Sequence, residues 1–336
     1  MPDSALILAI VMIFALNFYA LMGGADYGSG VWDLLAMGPR RDEQRKLIAD
    51  AIAPIWEANH VWLILVVVVL FSAFPKAFAL LSVSMHIPLT LILFGIIARG
   101  TAFIFRKYDS RIDEVQRRWG TIFAISSLIT PMLLGVVVAA ISSGNVLADH
   151  AGKTFVDLYI APWCSWFCLA TGIFAVTLFS FLAANYLAFY AGSEELKSDF
   201  RNRAIVSQVL CGISALSVWI LADLEAPDLR TALANSPWSL GLQAATAMCA
   251  MFSLYALVAR RFQIARLAAA LQVSLIIWGW ALSQYPYMIR PVYTIAQAAG
   301  PASTCNMLVI VIALGACLLF PAFYFLYSVF NHKSEN

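Results

Sequence analysis

The stretch Gly23-Gly24-Ala25-Asp26-Tyr27-Gly28-Ser29-Gly30 lies inside an apolar run covering residues 5–36, and its reading decides the fold. No proline stops the run, so Asp26 and its glycines belong to one helix long enough to cross a bilayer. A carboxylate in hydrocarbon costs at least ~2.5 kcal/mol on insertion scales and therefore faces a protein interior or a water-filled route. A second such acid, Glu57, stands in Ala53-Pro54-Ile55-Trp56-Glu57-Ala58-Asn59-His60-Val61-Trp62. Two acids placed in this way point to a chain that moves protons or ions, or belongs to a complex that does.

Composition sets the class. Of 336 residues 62% are hydrophobic and 12% charged, about half the charged share of a soluble domain, which marks a polytopic membrane protein. Nine apolar segments are expected, near residues 5–36, 49–73, 77–104, 118–142, 160–190, 204–222, 239–259, 264–284 and 304–328. The N-terminus lacks a basic leader, so the first segment reads as a span and not as a cleaved signal. All six cysteines fall in or beside apolar segments without metal-type spacing and read as packing residues. The tryptophans mark membrane interfaces for the most part.

Basic residues test this segmentation independently. Arg40, Arg41, Arg45 and Lys46 follow the first segment; Arg106, Lys107, Arg111, Arg117 and Arg118 follow the third; Lys197, Arg201 and Arg203 the fifth; Arg260, Arg261 and Arg266 the seventh; Lys333 the ninth. The alternate loops carry Lys76, Lys153, Arg230 and Arg290, so sixteen basic residues fall on one side and four on the other. The positive-inside rule then places the N-terminus outside and the C-terminus in the cytoplasm. The fold expected is an all-α polytopic membrane protein of nine transmembrane helices, two four-helix bundles plus one peripheral helix, in a single transmembrane domain over 1–336. A weak pseudo-repeat pairs 5–142 with 160–284 and leaves the ninth helix at 304–328.

On this topology Asp26, Glu57 and Arg99 lie at similar depth on three consecutive spans, with Asp50 below them at the mouth of the second. That is how a cytoplasmic half-channel for protons is built. The plainer reading is a structural ion pair joining Arg99 to Glu57 or Asp26. Trp56, Asn59 and His60 are candidates for ordering the polar pocket. His60 and His86 fall in opposite halves of the bilayer and are poorly placed to share one haem iron. Metal, nucleotide and nucleic-acid motifs are absent, and the basic loops are explained by topology.

Gly24-x-Asp26-x-Gly28-x-Gly30, the run from Ala51 to Leu63, Phe71-Ser72-Ala73-Phe74-Pro75 and Arg99-Gly100-x-Ala102-Phe103-x-Phe105-Arg106 resemble subunit II of the cytochrome bd quinol oxidases, including the cyanide-insensitive-type branch. The specific motifs span residues 24–106. The resemblance implies a partner for a haem-bearing subunit I, which would hold the b- and d-type haems and reduce O2 with electrons from quinol. It also implies a bacterial inner-membrane location, and leaves open a small single-span accessory subunit and a structural quinone or lipid. By the same resemblance Asp26 and Glu57 are implicated in proton delivery from the cytoplasm. Many relatives carry a further acid just before the motif where this chain reads Met22-Gly23-Gly24, and Asp where it has Glu57, which leaves Asp50 or water to substitute. An ion-coupled secondary transporter and a purely structural scaffold are the alternatives.

Overall fold

The computed structural model describes residues 3–52, 56–108, 114–149 and 151–332. Arg111 and Lys333 lie outside the described residues, as do the side chains of Trp56, Glu57, Arg106, Lys107 and Arg117. The chain is helical nearly throughout. Its long elements are α1 (Asp3–Leu34), α3 (Trp56–Ala73), α5 (His86–Tyr108), α6 (Glu114–Ser143), α8 (Trp166–Tyr190), α9 (Glu194–Glu225), α11 (Ser239–Val258), α12 (Phe262–Gln284) and α14 (Ala302–His332). Shorter helices are α2 (Arg41–Ile52), α4 (Pro75–Ser84), α7 (Phe155–Tyr159), α10 (Pro227–Asn235) and α13 (Ile295–Ala298). A small antiparallel hairpin, β1 (Tyr287–Ile289) and β2 (Tyr293–Thr294), joins α12 to α13.

Among the described residues eight helices are long and apolar enough to cross a membrane. A further pair, α3 with α4, passes the same test together but is bent by 115°. The expected 77–104 segment is corrected here: α4 forms its first part and only α5 is a straight span. The bend of α4 away from α3 falls at Pro75, which cannot continue α3 because it lacks an N–H and its ring collides with the preceding turn. The carbonyl of Ala73 at this elbow accepts instead from the backbone N–H of Gly300, at 2.8 Å. Within the expected 49–73 segment, residues 53–55 lie outside the described residues. Its first residues end α2, a polar helix that buries Gln44, Ile48 and Ile52 on one face and carries Asp42 and Glu43 in its first turn, where the helix dipole favours acids.

Helix α8 is the hub, packed against α1, α6, α9 and α12. Its N-terminus is capped by Ser165, whose hydroxyl accepts from the Cys168 N–H. Trp32, at the far end of α1, donates its indole N–H to the carbonyl of Ser180 on α8 at 2.8 Å. Trp32→Phe is expected to remove this one interhelix bond at a cost of about 1 kcal/mol, read as a small drop in the thermal midpoint of the purified protein.

The chain segments after α1, α8 and α11 meet at one end of the bundle. Arg40 forks onto Asp199 at 2.7 and 2.9 Å, which raises the arginine's affinity for its proton; Gln44 bonds Asp199 and Arg203; and Arg260 stands 3.5 Å from Glu194. We refer to this as the basic end.

Candidate functional site

Close approach of α1 to its neighbours comes from the glycines of its polar stretch. A Cβ on Gly28 would overlap the main-chain carbonyl of Phe179 in α8 and lie 2.8 Å from Cβ of Ala183. A Cβ on Gly30 would overlap the Ser127 side chain of α6. Small residues in these positions let the backbones meet, the usual device for packing helices where water cannot drive them together.

That approach lets α5 deliver Arg99 to Asp26. The guanidinium forks onto the carboxylate, Nη2 to Oδ1 at 2.6 Å and Nη1 to Oδ2 at 2.7 Å, and Nη2 also donates to the Asp26 carbonyl at 3.1 Å. Its Nε donates to Ser127 Oγ at 2.8 Å, and that hydroxyl donates in turn to the Phe123 carbonyl. The rings of Tyr27 and Phe123 each lie 4.8 Å from the guanidinium carbon. Asp26 is 1% exposed and Arg99 2%, so the pair is shielded from solution. Asp26 stands eight residues from the basic end of α1, about 12 Å along the axis, and Arg99 nine residues from the end of α5.

A second arm leaves the pair through hydroxyls. Tyr27 Oη lies 3.1 Å from Tyr19 Oη, and the Tyr19 ring lies 6.4 Å from that of His60 on α3. Asn59 beside it is fully buried, and neither of its amide atoms has a hydrogen-bond partner. Buried polar atoms of this kind are met by internal water where there is room for it.

Of the residues picked out from sequence, Asp26 and Arg99 are in contact, and Asn59 and His60 lie at the α1–α3 contact beside them. Position 57 is the second residue of α3, one turn before His60, and residues 53–55 together with the Glu57 side chain lie outside the described residues. Asp50 is exposed on α2. Two participants, Ser127 and Tyr19, escaped the sequence reading, as did a further buried acid, Asp33. The last is fully buried one heptad after Asp26 on α1, and its spacing of seven residues was the signal that could have found it.

His60 and His86 stand on different helices, α3 and α5. They are separated by most of α3 and all of α4, and His86 is exposed, with Nδ1 2.9 Å from the Val83 carbonyl. Among the described residues no group of three His, Cys, Asp or Glu side chains could hold a metal ion.

Long apolar helices enclosing a fully buried ion pair define a multi-pass membrane protein with a charged interior. The family model for cytochrome bd terminal oxidase subunit II matches residues 4–330. The chain belongs to that family, a subunit of a terminal quinol oxidase and the partner of its haem-bearing subunit. It is 23% identical over 335 residues to the putative cytochrome bd menaquinol oxidase subunit II of Bacillus subtilis (strain 168), covering 96% of this chain and 95% of that one. It is 26% identical over 219 residues to the cytochrome bd-I ubiquinol oxidase subunit 2 of Escherichia coli (strain K12), covering 62% of this chain and 54% of that one. Its fold matches a chain of the bd oxidase structure from Geobacillus thermodenitrificans with a TM-score of 0.80 at 21% identity, over 97% of this chain and 98% of the other. Family membership displaces the transporter alternative.

Proposed function

We propose that this chain supports haem-bearing subunit I of a quinol:O2 oxidoreductase and lines a proton-uptake path from the cytoplasm through Glu57 and Asp26. The observation that carries this reading is the buried fork of Asp26 and Arg99, held at one level by three helices. Arg99 balances the carboxylate charge and also holds Ser127 and the Asp26 carbonyl. It therefore keeps hydrogen-bond partners when Asp26 takes a proton, while its charge then stands without a carboxylate beside it. The partner's haems supply the redox chemistry; this chain's residues hold and move the proton. Nine spans, counting α3 with α4 as one, put the N-terminus outside and the basic end in the cytoplasm of a bacterial inner membrane. The two halves 5–142 and 160–284 form two four-helix bundles and α14 the peripheral helix, all within a single domain. A single-span accessory subunit, and a lipid or quinone in a structural groove, fit this arrangement.

The same fork supports a second reading, in which the pair only holds three helices in register. Glu57→Gln and Asp26→Asn separate the two. On the relay reading both slow oxygen consumption of the purified complex about a hundredfold and leave its visible haem spectrum intact. Loss of the haems in both variants, or native turnover in both, would establish the structural reading.

A further inference from the structure

Between the exposed Asp50 and the buried Asp26 the structure places an acid that the sequence reading passed over. Asp33 closes α1 at the basic end and is 0% exposed. It follows Asp26 by seven residues, with Ser29 between them, so all three lie on one face of the helix. Ser29 is buried as well, its hydroxyl donating to the Ala25 carbonyl at 2.7 Å. The axial step from Asp33 to Asp26 is about 10 Å. On the solution side stands Arg45 of α2, whose Nε is 3.8 Å from Asp33 Oδ1 and whose Nη2 lies 3.4 Å from the Asp33 carbonyl. The Arg45 side chain is 28% exposed and that of Asp33 1%, so the arginine screens the acid from the aqueous phase.

Asp33 ties α1 to α2 through Arg45, but this end of α1 does not depend on that tie alone. The same end of α1 is already tied by Trp32 to Ser180 and by Arg203 to the Leu35 carbonyl. A buried carboxylate is a costly way to add a further tie.

We infer that Asp33 is the inner-side acid of the proton route, receiving protons behind Arg45 and passing them along the Ser29 face of α1 to the Asp26–Arg99 pair. Asp33 forms a carboxyl O–H with a proton taken from water at the basic end. That bond breaks when the proton moves on through Ser29 and intervening water, and the carboxylate is restored with no other bond changed. Asp50, on the exposed face of α2, is then a surface acid outside the route.

The inference rests on the proton path proposed above, and the test keeps the two apart. Oxygen consumption, its H2O/D2O ratio, the haem spectrum and the thermal midpoint are measured on the whole purified oxidase carrying Asp33→Asn or Asp33→Glu. The expected result is turnover down about a hundredfold for Asp33→Asn, a raised H2O/D2O ratio, native spectrum and midpoint, and recovery of most activity in Asp33→Glu. Native turnover and a native isotope ratio in Asp33→Asn overturn it. Should Asp33→Asn fail to assemble, Asp33→Glu decides: a changed isotope ratio with native haems supports the role, and an unchanged one ends it. If Glu57→Gln and Asp26→Asn are slow while Asp33→Asn is not, only this inference falls; if all three turn over normally, the path falls with it.

Discussion

Gly28→Ala is expected to remove the subunit from the membrane. One added methyl group would overlap the main-chain carbonyl of Phe179 and crowd the methyl of Ala183. A carbonyl within a helix cannot swing aside as a flexible side chain can, so α1 would have to draw back from the hub helix α8. That retreat breaks the Trp32–Ser180 bond and pulls Asp26 from Arg99, adding an unpaired buried charge to the packing loss. Quantifying the subunit in membranes, together with the haem content of the complex, checks the outcome. Gly38→Ala serves as the control for the packing effect, since a Cβ there meets nothing within 4 Å and only its backbone conformation resists.

Arg99→Ala is expected to be nearly as severe, for an electrostatic reason. It leaves the Asp26 carboxylate without its counter-charge, and loss of one partner of a buried pair costs about 3–5 kcal/mol, a large part of a protein's whole stability. The thermal midpoint of the oxidase, or its failure to accumulate, reads this directly. A double replacement, Asp26→Ala with Arg99→Met, restores a neutral, filled interior and is expected to recover assembly while turnover stays low. Recovery of both would mean that the pair serves only to hold the helices.

Much of this was legible before any coordinates. Apolar length identified most of the spanning helices. The principle that an ionisable group does not face lipid singled out Asp26 and Arg99, which prove to touch. Other features were hidden for physical reasons. The bend of 115° at Pro75 falls between the expected segments 49–73 and 77–104, whereas the second break, at Met85, was hidden because apolar residues run on from α4 into α5. Asp33 sits at a helix end, where an acid reads as an interfacial residue until α2 is seen folded over it. Ser127, Tyr19 and Tyr27 are ordinary in composition and gain their significance only from the helices that face them.

The elbow also has a bearing on the order in which the protein is finished. When the chain turns at Pro75, the carbonyl of Ala73 is left without its helical partner, and within a bilayer an unanswered carbonyl is expensive. Its donor, the N–H of Gly300, is made only once most of the remaining polypeptide has been synthesised. A corner laid down early in translation is thus sealed by a residue that arrives near the end, so the elbow is completed only once the chain has reached the segment before α14.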